Sequence, residues 1–172
     1  MDRLDLGYLI VSGAATASRA PELASGLLEL LPRLITILTP NAARVVTARD
    51  LSAIEDNTVV DSYFDQAIVP RPPFGVVLVA PCTFNSLNKL AAGIADSLAL
   101  SVVAEAIGRG TPVIVAPSAN QPLMDHPSFN RSQAALRDWG VTVVPCEDHG
   151  YGPQLAPTSV VMAAVQSRLA GN

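Results

Sequence analysis

Five short apolar runs constrain this chain more than anything else in it: "LGYLIV" (6–11), "LITILT" (34–39), "GVVLVA" (75–80), "PVIVA" (112–116) and "VTVVP" (141–145). None alternates apolar with polar residues, as a strand with one wet face would. Near-continuous runs mark strands of a parallel sheet covered on both faces. Parallel neighbours cannot be joined by a tight hairpin and need a crossover, usually a helix. Helical patterns do lie between the runs, at 17–31, 41–48, 86–107, 128–138 and 157–169. The alternation predicts an α/β fold, a three-layer αβα, Rossmann-like parallel sheet in a single domain over 1–172. A chain of 172 residues is long enough for one such core. The Pro-rich "IVPRPPFG" (68–75) is expected as a loop into the third run, since Pro cannot donate to a sheet ladder.

Ligands of such folds sit beyond the carboxyl ends of the strands. There the polar residues gather: "SGAATAS" after the first run, "TPNAA" after the second, "PCTFNS" and "PSANQP" after the next two. Two accounts fit small hydroxyl and amide side chains at strand ends. One is helix capping, a routine task of Ser, Thr and Asn. The other is a shared small-molecule site. Thr83, Asn85, Ser86 and Asn88 offer more hydrogen bonding than one cap uses. Gly13 and its small neighbours let backbone N–H groups approach an anion. The G-x-G-x-x-G fingerprint is absent, so a mononucleotide phosphate fits better than a dinucleotide.

Composition narrows the classes further. A net charge of -4 and a pI near 5.0 argue against nucleic acid, which needs a basic face. With 49% apolar and 15% charged residues the chain is an ordered globule, and surface is left for subunit contacts. Cys82 and Cys146 do not make a disulfide framework and are expected as reduced thiols of a cytoplasmic protein. His126 and His149 lack partners at ligand spacing, so no metal site is expected. The opening "MDRLDLGYLIVSGAATA" carries Asp2 and Asp5 around a short apolar run, neither a signal peptide nor a membrane span.

The stretch 76–127 resembles the homo-oligomeric flavin-containing cysteine decarboxylases, which include phosphopantothenoylcysteine decarboxylase and enzymes that modify a peptide's C-terminal cysteine. Their first signature, A-P-x-[ST]-A-N-T, appears as Ala80-Pro81-Cys82-Thr83-Phe84-Asn85-Ser86, followed by Lys89, Ala91, Gly93 and Asp96. The second, P-x-M-N-x-x-M-W, appears as Pro117-Ser118-Ala119-Asn120-Gln121-Pro122-Leu123-Met124, with Pro and Asn kept. The phosphate loop T-G-S-I-A matches Ser12-Gly13-Ala14-Ala15-Thr16, and the second tip matches Thr39-Pro40-Asn41-Ala42. The substrate clamp A-C-G-D-x-G-x-G-R-M-x-E-P matches 145–157 in Cys146, Asp148, Gly150, Gly152 and Pro157, without its Arg and Met.

The resemblance implies a flavodoxin-like fold and FMN as cofactor. Gly13, Ala14, Thr39 and Asn41 would seat the phosphate. Thr83, Phe84, Asn85, Ser86 and Ser118 would hold the ring and ribityl edge. Asn120 would meet the substrate carboxylate, and Cys146 and His149 would be catalytic in the clamp. The implied chemistry oxidises a cysteine side chain to a thioaldehyde and releases CO2, leaving an enethiolate. A peptide with a C-terminal cysteine is the favoured substrate; phosphopantothenoylcysteine is the alternative. The implied assembly is a homotrimer, or a dodecamer of four trimers. One departure is large. The family's essential His, fourteen residues before the Pro of the first signature, falls on Ala67, and no His occurs before His126. An FMN-binding or partner protein without decarboxylase activity is therefore a further alternative, as is prenyl transfer to the flavin in the same fold.

Overall fold

All five apolar runs form strands in the computed structural model, which describes residues 4–69, 71–148 and 153–171. They are β1 (Leu6–Val11), β2 (Arg33–Leu38), β4 (Val76–Cys82), β5 (Val113–Pro117) and β6 (Thr142–Val143), and a three-residue β3 (Asn57–Val59) joins them. Every pairing in this sheet is parallel, and the order is β3-β2-β1-β4-β5-β6. Tyr8 lies level with Ile35 on one side and Val77 on the other. Alternate side chains then build two cores. Tyr8, Ile10, Val77, Val79, Val113 and Val115 pack on one face, under α3 (Phe84–Ala91), α4 (Leu98–Gly108) and α6 (Pro127–Asp138). Leu9, Val11, Val76, Leu78, Ile114 and Ala116 pack on the other, under α1 (Ala20–Leu28), α2 (Ala48–Ser52) and α7 (Thr158–Ala170). Each large apolar side chain so buried stabilises the fold by about 1.5–3 kcal/mol. This explains why the runs do not alternate: both faces are dry.

The helix expected over 86–107 is two helices. Gly93 adopts φ +71°, a left-handed conformation that ends α3. Its N–H donates to the Leu90 carbonyl (3.0 Å) and the Ile94 N–H to that of Lys89 (2.9 Å), the paired closure of a Schellman end. Ser97 then caps α4, its Oγ accepting from Leu100 N–H at 3.3 Å. The helix expected over 41–48 is instead a 3-10 turn, Ala42–Arg44, followed by α2, which Thr47 caps through the Asp50 N–H. Beyond β6 lies an antiparallel pair, β7 (Glu147–Asp148) and β8 (Pro153–Gln154). Arg19 secures the segment between β8 and α7, donating to the carbonyls of Leu155 and Ala156 (3.1 Å each) and to Thr158 Oγ1 (2.7 Å).

Pro81 lies inside β4 rather than past its end, beside a register shift between Val79 and Cys82. It brings no donor to the ladder, but its carbonyl accepts from the neighbouring β1 tip.

Candidate functional site

The winding order of the sheet reverses between β1 and β4, the switch point where open α/β sheets leave a crevice. Four tips meet there and are laced together. The Ser12 N–H (3.1 Å) and hydroxyl (2.7 Å) both donate to the Pro81 carbonyl, and the same hydroxyl accepts from the Thr83 N–H (2.8 Å). Ser12 is 2% exposed, so these bonds form out of water. The Thr39 N–H donates to Val11, and that of Ser118 to Cys82. Thr16 Oγ1 and Ser118 Oγ lie 2.9 Å apart, joining the first tip to the last.

Gly13 shows how tightly the first two tips meet. A Cβ there would stand 2.4 Å from Asn41 Cβ and 2.8 Å from the Asn41 carbonyl carbon. Only glycine fits. The polar residues around it do two jobs. Thr83 caps α3 through the Ser86 N–H (3.2 Å) and donates to Ser86 Oγ (3.1 Å). Asn120 caps α5 (Gln121–Met124), its Oδ1 accepting from the Leu123 N–H at 3.2 Å. Asn41 makes no side-chain cap, and Asn85 stands exposed one residue inside α3. Capping and a cavity are thus both present, on the same residues.

The tips enclose a cavity of about 630 Å³. Gly13 and Ala14 line it from β1, Thr39 and Asn41 from β2. Thr83, Phe84, Asn85 and Ser86 come from the end of β4 and α3, Ser118 and Asn120 from the end of β5. Ser12, Ser97, Lys89 and Asp96 line it too. No local pattern signals that the Ser12 hydroxyl meets a carbonyl 69 residues away. Lys89 and Asp96 form an ion pair, 2.6 Å apart, and that pair stands on the cavity wall. A smaller apolar hollow of about 370 Å³, with Asp61 at its edge, adjoins at Thr39, Pro40 and Ser97.

Cys146, Cys82, Ala67 and His126 lie off the cavity lining. Cys146 is not on the cavity lining; its half-buried thiol donates to the Pro117 carbonyl at 3.2 Å, and burial pushes its pKa up. Cys82 is wholly buried packing, its thiol raised further by the same cause. His149 falls outside the described residues. Ala67 packs half-buried against the core, its N–H donating to Asp65 Oδ1 (2.8 Å), and is not on the lining. His126 caps α6 through the Ser128 N–H and meets the Phe84 ring edge-on at 5.3 Å. Among the described residues no group of His, Cys, Asp or Glu could hold a metal, and no helix is long and apolar enough to cross a membrane.

A doubly wound parallel sheet with a neutral, amide-rich cavity at its switch point defines an α/β small-molecule-binding protein. The chain belongs to the Flavoprotein family, whose model matches residues 7–169. It is 29% identical over 174 residues to the coenzyme A biosynthesis bifunctional protein CoaBC of Bacillus subtilis, covering 91% of this chain and 41% of that one. The chain spans less than half the length of the curated relatives it matches first. Among solved structures, TvaF, an FMN-dependent cysteine decarboxylase from thioviridamide biosynthesis, is 26% identical with a TM-score of 0.75, covering 96% of this chain and 98% of that one. The FMN binding protein AtHal3 shares the fold at a TM-score of 0.83 and 20% identity, covering 99% of each chain.

Proposed function

We propose that this chain holds FMN in the strand-tip cavity and decarboxylates a cysteine carboxylate oxidatively, with the C-terminal cysteine of a peptide as substrate. The observation that carries this reading is the meeting of four hydroxyl- and amide-bearing tips around one cavity. Its size lies within the roughly 300–1,000 Å³ of small-molecule sites. Amides and hydroxyls match the donor–acceptor edges of a flavin, and the cradle at Gly13, where a Cβ would collide, brings bare backbone to the β1 tip. The residues present therefore fit FMN. When bound, FMN supplies a two-electron acceptor for the cysteine side chain.

The chain's own residues do the rest. Gly13, Ala14, Thr39 and Asn41 seat the phosphate; Ala14 brings no hydroxyl to that task. Thr83, Phe84, Asn85, Ser86 and Ser118 hold the ring and ribityl side. The Asn120 cap fixes its own orientation: Oδ1 is engaged by Leu123, which leaves the NH2 end to donate to the substrate carboxylate. A neutral amide orients that carboxylate without binding it as tightly as a cation would. With a methyl group at Ala67, the substrate thiol has no base from that position, so the site takes substrate as thiolate. Activity then rises with pH towards an ordinary thiol pKa of about 8.5.

Two further readings have an observation each. Cys146, kept protonated by burial beside β5, suits return of a proton to an enethiolate, as a phosphopantothenoylcysteine decarboxylase would need. Ala67 favours an FMN-binding protein without decarboxylase activity. One experiment separates all three. The purified protein is scanned for flavin absorption, the released chromophore is identified by mass, and the holoprotein is given a Cys-terminated peptide or phosphopantothenoylcysteine. Loss of CO2 and two hydrogens from the peptide supports the proposal; loss of CO2 alone from phosphopantothenoylcysteine supports the second reading. No loss from either leaves the binder, and a protein that takes up no FMN overturns all three. The proposal extends to a cytoplasmic homotrimer or a dodecamer of four trimers, for which Tyr63, Phe64 (87% exposed) and Phe74 supply apolar surface. Sedimentation of the holoprotein tests the assembly.

A further inference from the structure

Lys89 and Asp96 are the charged side chains among the described residues of the cavity wall. Lys89 follows Asn85 by one helical turn on α3, so the two share the face that looks into the cavity. The Schellman end at Gly93 folds the chain back and brings Asp96 Oδ2 to 2.6 Å from Lys89 Nζ. Lys89 is the less exposed partner, at 30% against 53%.

A pair placed here acts on whatever charge forms in the cavity. Two-electron reduction of a flavin with uptake of one proton adds one negative charge to its ring. The electrons come from the substrate cysteine in the proposed reaction and from dithionite in a reductive titration. A cation on the wall favours the reduced form over the neutral oxidised form, and a carboxylate opposes it. We propose that Lys89 raises the reduction potential of the flavin held in this cavity, and that Asp96 moderates the effect. The inference rests on the FMN reading above.

A purely structural ion pair predicts something different. As a staple between α3 and the 92–97 turn, it would suffer in the same direction from loss of either partner. As an electrostatic device, its two halves shift the potential in opposite directions.

The test is a reductive titration of the FMN-loaded full chain against a reference dye. Lys89→Gln is expected to reduce the preference for reduced over oxidised FMN about five- to tenfold. For a two-electron couple that is a fall of about 20–30 mV. Asp96→Asn is expected to raise the potential, and Lys89→Arg to stay near the wild-type value. Should Lys89→Gln fail to hold FMN, the rise in Asp96→Asn decides the matter alone. Unshifted potentials, or shifts of one sign in both variants, overturn the inference and leave the FMN reading standing. A wild-type protein that takes up no FMN overturns both.

Discussion

At the β1 end of the cavity the wall is backbone held at contact distance. Gly13 has no room for a methyl group against Asn41, and the buried Ser12 hydroxyl is shared between Pro81 and Thr83. At the β5 end Asn120 stands exposed and caps a four-residue helix through its Oδ1. The first end defines where four strand tips sit, so a change there is felt by the fold. The second is a side chain on a finished scaffold, so a change there spares the fold. Rigid elements set the frame, and Asn120 is the replaceable group at its edge to which the proposed reaction assigns the substrate carboxylate.

The difference can be broken at its strongest point first. Gly13→Ala places a Cβ 2.4 Å from another Cβ and 2.8 Å from backbone carbon, so the β1 and β2 tips must part. A cost of about 3 kcal/mol is expected, at the upper end of overpacking, with loss of FMN uptake. Thermal melting and flavin titration measure both. Full stability in this variant would show that the tips have slack. Ser12→Ala is the next test. It leaves the half-buried Thr83 N–H without its acceptor, while Pro81 keeps the Ser12 N–H. The expected loss is about 1–2 kcal/mol by urea unfolding.

Asn120→Asp sharpens the other half. Aspartate caps as well as asparagine, so the melting temperature should move little. The new carboxylate repels that of the substrate, so decarboxylation should fall at least about a hundredfold while FMN uptake is kept. Asn120→Ala loses the cap as well, at about 1 kcal/mol. If Asn120→Asp melts early, the β5 end belongs with the frame after all.

The two ends were unequally legible in the sequence. Burial on both sheet faces leaves runs such as "VVLVA" that cannot be mistaken for half-wet strands, and four polar tips follow from strand direction. Gly93 and Ser97 were also readable: a glycine after "LAA" and a serine before "LALSVV" are end and start signals. The length of the apolar pattern over 86–107 hides both. Asn57–Val59 was not readable. Its pairing is three residues long, and its polar Asn57 is buried because the Thr36 hydroxyl donates to its Oδ1 (2.7 Å) and its NH2 donates to the Leu51 carbonyl (2.9 Å). Likewise the Ser12–Pro81 bond and the place of Cys146 behind the β5 tip come from packing between distant segments, which no local pattern records.

Cys146 carries the smallest prediction, and it joins the two ends through pH. Burial raises its thiol pKa above the ordinary thiol value, as it does for Cys82. A thiol whose folded pKa is raised favours folding while both states are protonated, that is, below the unfolded pKa. That contribution is lost as pH climbs from there through the folded pKa. Stability should therefore hold between pH 7 and 8 and decline above about pH 9. Cys146→Ser keeps a donor for the Pro117 carbonyl but removes one titrating group, so its alkaline decline should be shallower. The same cause should make Cys146 alkylate more slowly at pH 8 in the folded protein than in urea. Fast labelling of the native thiol would mean that the β5 end is open to water behind Asn120 as well as in front of it, and the contrast with the sealed β1 end would then be greater than the packing around Pro117 implies.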